Sequence, residues 1–158
     1  VPPETRDHLL ATTGVLLATR GQEALRMLTS AYARVGLKPR QVQALLLLAE
    51  HGGMTQRELG EVMAVDPSIL VGLLNPLEED GLISRRRDAG DRRRHNILLT
   101  RAGEDRLVEV EREQAAAEDA YFAELDPDEL DQLRRLLARG QAQRDDIAPV
   151  DGDSAESC

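Results

Sequence analysis

Cysteine is almost missing from this chain: the only one, Cys158, is the last of 158 residues. An internal disulfide, a CxxC redox pair and a cysteine-based zinc site are thereby excluded. Aromatic residues amount to 2% (Tyr32, Tyr121 and Phe122), too few for the stacking platforms that single-strand nucleic-acid binders need. Long apolar runs are missing too. The longest, Ala44 to Ala49, spans six residues, against roughly 20 for a bilayer crossing, so no membrane partner is expected. The opening Val1-Pro2-Pro3-Glu4 lacks the basic-then-apolar order of a signal peptide, and a cytoplasmic protein is expected. Catalytic signatures are absent as well: there is no glycine-rich phosphate loop, no HExxH and no recognisable nucleophile, histidine and acid order. His8, His51 and His95 do not stand at metal-ligand spacing. Glu78-Glu79 and Asp145-Asp146 read as solvated charges. Neither an enzyme, a metal site nor a cofactor is expected.

What the chain does have is charge, unevenly placed. Its 29 acidic and 20 basic residues sum to −9, which at face value disfavours a nucleic-acid partner. Yet Ser84 to Arg101 holds seven arginines (85, 86, 87, 92, 93, 94 and 101) and two aspartates (88 and 91). That segment is locally +5, so the remainder is −9 − 5 = −14. One short positive segment sits on an acidic body.

Apolar residues recur with a period near 3.6, so the chain is mainly helical. A long first helix is expected from about Thr5 to Arg34, with a bend near Gly21. A second runs from Pro39 to Glu50, with Val42, Leu45, Leu46 and Ala49 as its buried stripe. Thr55-Gln56-Arg57-Glu58 fits a capping box that opens a short helix to about Val62. Asp66-Pro67 sets an N-cap acceptor before a proline at the first helical position, and the helix that follows runs towards Asp80. Leu82 to Arg87 and His95 to Leu99 read as strands of a β-hairpin, with Asp88-Ala89-Gly90-Asp91 at its tip. Thr100 caps a long helix to about Glu124, with Leu107, Val110, Ala117, Ala120 and Tyr121 inward. Asp126-Pro127-Asp128-Glu129 opens a last helix to about residue 143. Residues 144–158 form an acidic tail expected to be disordered.

Two short helices joined by a three-residue turn and followed by a hairpin make a winged helix-turn-helix. On a helical wheel, Ile69, Leu70, Leu73, Leu74 and Leu77 face the core. Ser68, Val71, Gly72 and Asn75 face outward. These are small or uncharged, which lets the helix backbone approach a major groove: Ser68 and Asn75 can hydrogen-bond base edges, and Val71 can touch a thymine methyl. Positive charge comes from the wing, through Arg85, Arg87, Arg92, Arg93 and Arg94. Pro76, inside this helix, removes a backbone hydrogen bond and crowds the Gly72 carbonyl, so a kink near Gly72 to Pro76 is expected, together with a shortening of the helix.

From Leu37 to Gly103 the residues resemble the MarR family of transcriptional regulators. The wing carries the resemblance best: Leu82-Ile83, Arg85, Arg87-Asp88, Asp91-Arg92-Arg93, Leu99-Thr100 and Gly103 follow the family pattern in order and spacing. The resemblance implies that Asp91 and Arg93 are the Asp-x-Arg wing signature, with Arg93 at the minor groove and Asp91 orienting an arginine. A narrow minor groove concentrates negative potential and attracts guanidinium groups. Pro76 departs from the pattern, which commonly has a basic or polar residue there. The resemblance also implies effectors that are small phenolic or lipophilic anions, held between the dimer helices and the DNA-binding lobe.

The expected architecture is therefore mainly α: a winged helix-turn-helix lobe at 37–100 with a small β-hairpin wing, and long N- and C-terminal dimerisation helices at 5–36 and 101–143. The expected function is a homodimeric, sequence-specific regulator, a repressor released by a small-molecule effector, whose partners are a pseudo-palindromic double-stranded operator and a second copy of the chain. The alternative is a winged-helix module that docks a protein and has lost DNA binding, as the −9 charge and the non-basic helix face would suit.

Overall fold

The computed structural model describes residues 2–87 and 95–139. In chain order the elements are α1 (Pro3–Leu10), α2 (Thr13–Ala33), α3 (Pro39–His51), β1 (Met54–Thr55), α4 (Gln56–Met63), α5 (Pro67–Glu79), β2 (Ile83–Arg87), β3 (His95–Leu99), α6 (Arg101–Tyr121) and α7 (Pro127–Arg139). Residues 1–121 make one compact unit and residues 122–158 a second, to which α7 belongs. None of the described helices is long and apolar enough to cross a membrane.

The N-terminal segment is two helices and not one bent helix. The break falls at Ala11-Thr12, while Gly21 lies inside α2. Thr12 takes an extended conformation (ψ 143°), its hydroxyl donates to the Leu9 carbonyl (2.9 Å), and its own carbonyl accepts from Leu16 N–H. A threonine that satisfies the end of one helix and starts the next outweighs an interior glycine, which costs only about 1 kcal/mol.

The core of the first unit gathers around α3. Val42, Ala44, Leu45 and Leu48 of α3 meet Leu59 and Met63 of α4, Leu70, Leu74 and Leu77 of α5, and Ile83 and Ile97 of the sheet, all buried. Each such aliphatic side chain contributes roughly 1.5–3 kcal/mol by leaving water. The expected stripe on α3 was out of phase: Leu46 and Ala49 are exposed, and Ala44 and Leu48 are inside. Four consecutive leucines, Leu45 to Leu48, leave the phase of the wheel undetermined. On α6, Val110 is buried and Leu107 and Ala117 are half-buried, whereas Ala120 is exposed. The α2–α6 packing also holds a polar chain, in which the Tyr32 hydroxyl donates to Gln114 Oε1 (2.8 Å) and Gln114 Nε2 donates to Glu118 (2.9 Å). Burial, with a smaller effect from Glu118, pushes the Tyr32 phenol above its ordinary range and keeps it a donor.

The sheet has three antiparallel strands in the order β1-β3-β2, where a two-stranded hairpin was expected. The addition is Met54–Thr55, paired with Ile97 and Asn96. Gly53 makes it possible: its φ of +119° turns the chain onto β3, and a Cβ there would collide with Leu98. Hairpin register matches Ile83 with Leu99, Arg85 with Ile97 and Arg87 with His95.

Where α5, the hairpin and α6 meet, Thr100 ties them together. Its hydroxyl donates to the Gly81 carbonyl (2.6 Å), its N–H donates to the Leu82 carbonyl (3.0 Å), and its Oγ1 accepts from Gly103 N–H (3.1 Å), as expected of a helix cap. The same close approach leaves Gly103 against the Leu82 carbonyl and the Leu99 side chain, with no room for a Cβ. In the second unit, Asp126 Oδ1 accepts from the N–H groups of Asp128 and Glu129 (both 2.9 Å), and Asp126 N–H donates to Glu129 (3.0 Å), closing the expected cap of α7. Residues 140–143 of the helix expected there, and the tail at 144–158, lie outside the described residues.

Gly103→Ala should lower stability by about 1–3 kcal/mol, the usual cost of overpacking, seen as a lower urea midpoint with an unchanged slope. Gly72→Ala is the contrast: nothing lies within 4 Å of the added carbon, so removing a mid-helix glycine should raise stability by up to about 1 kcal/mol.

Candidate nucleic-acid interface

The helix-turn-helix is built from local signals. Thr55 and Glu58 form the reciprocal box: Thr55 N–H donates to Glu58 Oε2 (2.8 Å) and Glu58 N–H donates to Thr55 Oγ1 (3.2 Å). At the far end of α4, Ala64 adopts the left-handed region (φ 50°), and Val65 N–H donates to the Gly60 carbonyl (3.0 Å). This reverses the chain within three residues. Asp66 is extended and precedes Pro67 at the first position of α5, but its side chain makes no capping hydrogen bond, contrary to expectation. Its carbonyl accepts from Leu70 N–H instead (2.9 Å), and the fixed φ of Pro67 starts the helix.

α5 continues through Pro76 to Glu79 without interruption, so the helix is not shortened. Ser68, Val71, Gly72 and Asn75 are all exposed. Leu70, Leu74 and Leu77 are buried and Leu73 is half-buried. Ile69 is the exception to the expected wheel: it is 60% exposed, because it stands at the edge of the apolar stripe, past Leu73, where the core no longer reaches. No lysine, arginine or histidine occurs between Asp66 and Asp80.

Among the described residues, the hairpin brings a positive charge against this helix at Arg85. Arg85, on the same face of β2 as buried Ile83 by strand alternation, donates from Nη2 to Asn75 Oδ1 (3.2 Å), and its Nε lies 3.4 Å from Glu78 Oε2. Two of the expected site residues, Arg85 and Asn75, are thus in direct contact. Glu78, read from the sequence as a solvated charge, is the third member of the group. Its spacing from Arg85 carries no motif, so only the fold reveals the pairing. Arg86, on the opposite face of the strand, is exposed. Arg87 ends β2, and Asp91, Arg92, Arg93 and Arg94 lie outside the described residues. Among the described residues no cluster of three histidine, cysteine, aspartate or glutamate side chains stands at metal-binding distance.

Comparison with known proteins agrees with this architecture. The sequence pattern of the MarR family matches residues 37–95. The HTH-type transcriptional repressor MdtR of Bacillus subtilis (strain 168) is 27% identical over 136 residues, 86% of this chain and 88% of that protein. A MarR-family transcriptional regulator from Rhodococcus sp. RHA1, known by crystallography, is 33% identical, with 78% of this chain and 88% of that one covered and a TM-score of 0.67. The repressor CouR, from Rhodococcus jostii RHA1, has been solved on a 23-mer DNA duplex (30% identity, 84% of this chain and 94% of that one, TM-score 0.73) and with p-coumaroyl-CoA (31% identity, 89% and 98%, TM-score 0.68). With a winged helix-turn-helix between long helices, the family pattern on its lobe, and relatives of this kind along most of its length, the chain belongs to the MarR family of transcriptional regulators.

Proposed function

We propose that the protein is a homodimeric repressor that binds a pseudo-palindromic operator through α5 in the major groove and the arginine-rich wing in the minor groove, and that a small-molecule effector releases it. The observation that carries this reading is the Arg85–Asn75–Glu78 contact, which fixes the cationic hairpin beside an exposed, uncharged helix face. In this reading the contact sets a positioning charge beside a base-reading surface, the division of labour that duplex recognition requires. In this reading Ser68, Val71, Gly72 and Asn75 meet bases. Arg85, Arg87, Arg92, Arg93 and Arg94 supply charge, Arg93 enters the minor groove, and Asp91 orients an arginine.

Homodimerisation is supported by apolar side chains that one copy leaves in water. Leu9, Leu10, Leu16, Leu17 and Leu25 of α1 and α2 are 47–57% exposed, and Leu136 and Leu137 of α7 are 54% and 51% exposed. Soluble monomers rarely tolerate such continuous apolar faces, and pairing residues 5–36 and 101–143 with their copies would cover them. Release by an effector is supported by the CouR structures, in which that protein holds DNA in one and p-coumaroyl-CoA in the other. In this chain a cleft of about 540 Å³ between α3 and α6, walled by Leu46, Leu107, Val108 and Val110 and edged by Glu111 and Glu118, offers an apolar site.

Light scattering at micromolar concentration should give about twice the 17.4 kDa chain mass, and the double substitution Leu16→Asp, Leu17→Asp should dissociate or unfold the protein by placing charge in the dimer face. A monomeric mass for the unaltered protein would overturn the dimer. On duplexes with half-sites roughly 10 base pairs apart, Arg93→Ala should flatten the dependence of log affinity on log salt by about 0.9 for each wing, about 1.8 for the dimer. Asn75→Ala should leave the slope alone and relax base preference at one position per half-site, by about 1–3 kcal/mol. Gel-shift titrations in low and high salt measure both. Arg85→Ala should change folding stability by less than about 1 kcal/mol, because its ion pair is partly exposed, while weakening binding to every duplex. If no duplex is bound at any salt concentration, the protein-docking alternative stands.

A further inference from the structure

Resting on the DNA-binding reading above, we infer that Ile69 and Val71 are specificity-determining residues that read the C5-methyl groups of thymines, so that each operator half-site carries thymines beneath α5. The starting point is the exposure of two branched apolar side chains on the one helix face that also holds Ser68, Gly72 and Asn75. Ile69 is 60% and Val71 37% exposed. Helical periodicity places Ser68, Gly72 and Asn75 in one ridge (i, i+4, i+7), with Val71 on one side of it and Ile69 on the other. The ridge is low at its centre, since no atom lies within 4 Å of where a Cβ of Gly72 would stand. A surface can therefore come down onto the helix backbone until it meets the two apolar flanks.

The chemistry left to this face is narrow. Guanine is most often read by a bidentate arginine or lysine, and α5 has neither. Adenine is read by an amide that accepts from N6 and donates to N7, and Asn75 is the one amide on this face, its carbonyl oxygen keeping one lone pair beside the bond from Arg85. Apart from Asn75, what this face offers is the Ser68 hydroxyl and the two apolar side chains. In the major groove the only apolar group a base pair presents is the thymine methyl. Bringing it against isoleucine or valine removes apolar surface from water on both partners. The occupant is a duplex, and not the apolar surface of a protein, on grounds of charge: the arginine-bearing strand is bonded to this same helix through Arg85, and a polyanion matches it.

The test alters the DNA first and the protein second. Duplexes are enriched from a random-sequence library with the full-length protein, and the best is resynthesised with uracil replacing thymine in both half-sites, which deletes the methyl and nothing else. Fluorescence anisotropy should show the unaltered protein binding the uracil duplex about fourfold more weakly per methyl contacted, the equivalent of one methyl group's transfer from water. Ile69→Ala and Val71→Ala should each lose part of that sensitivity, so that each variant falls further behind the parent protein on the thymine duplex than on the uracil duplex. Their thermal unfolding should be unchanged, since both side chains are exposed. Equal affinity of the parent for both duplexes overturns the inference, as does full methyl sensitivity persisting in both variants. Failure to enrich any duplex with folded protein is a separate result: it removes the DNA-binding reading, and this inference with it.

Discussion

Much of the structure depends on how closely α6 approaches the start of the hairpin. Thr100 holds the carbonyls of Gly81 and Leu82 from one side and the Gly103 N–H from the other, and the absent side chain of Gly103 lets the helix lie against the strand. Gly81 follows the end of α5, Leu82 leads into β2, and Gly103 is in the first turn of α6. A single residue thus joins α5, the hairpin and α6. Hydrogen bonds of this kind are individually modest, near 1 kcal/mol. Their effect here is geometric: they fix the direction in which α6 leaves the lobe.

The second fixed point is Arg85. A guanidinium that donates to Asn75 and pairs with Glu78 is held in a planar fork with little freedom left to lose, so the hairpin and α5 present a common surface before any partner arrives. Such preorganisation reduces the ordering cost of association. The same contact changes the standing of Asn75, whose carbonyl is engaged in the free protein. In the proposed function, base reading by α5 would share Asn75 with Arg85 and rest also on shape and apolar contact.

Local chemistry made most of the fold legible. The boxes at Thr55–Glu58 and Asp126–Glu129, the cap at Thr100 and the proline starts at Pro39 and Pro67 each placed the start of a helix to within a residue or two, because caps act through neighbours in sequence, whereas α6 ends at Tyr121 and not at the expected Glu124. What was not legible depended on partners far along the chain. Met54 and Thr55 are too short a run to announce a strand, and they become one only because β3 lies beside them. Ile69 and Leu46 look like core residues on a wheel, yet the wheel cannot say how wide the neighbouring elements are, and the core stops short of both. Glu78 gave no sign of its role, since its partner is set by the packing of β2 on α5. At Asp66 the expected side-chain cap is absent, and Pro67 alone suffices to begin α5.

The concentration of positive charge between Ser84 and Arg101 has a consequence for how the molecule travels. The sequence divides into a segment of +5 and a remainder of −14. In the field of a polyanion charges of opposite sign on one molecule produce a torque as well as a force, drawing the positive segment forward and pushing the acidic remainder away. Encounters in the wrong orientation are then rejected before contact. A protein whose overall charge opposes its partner thereby gives up capture from all directions and gains a collision filter, effective only within about 10 Å at 0.1 M salt.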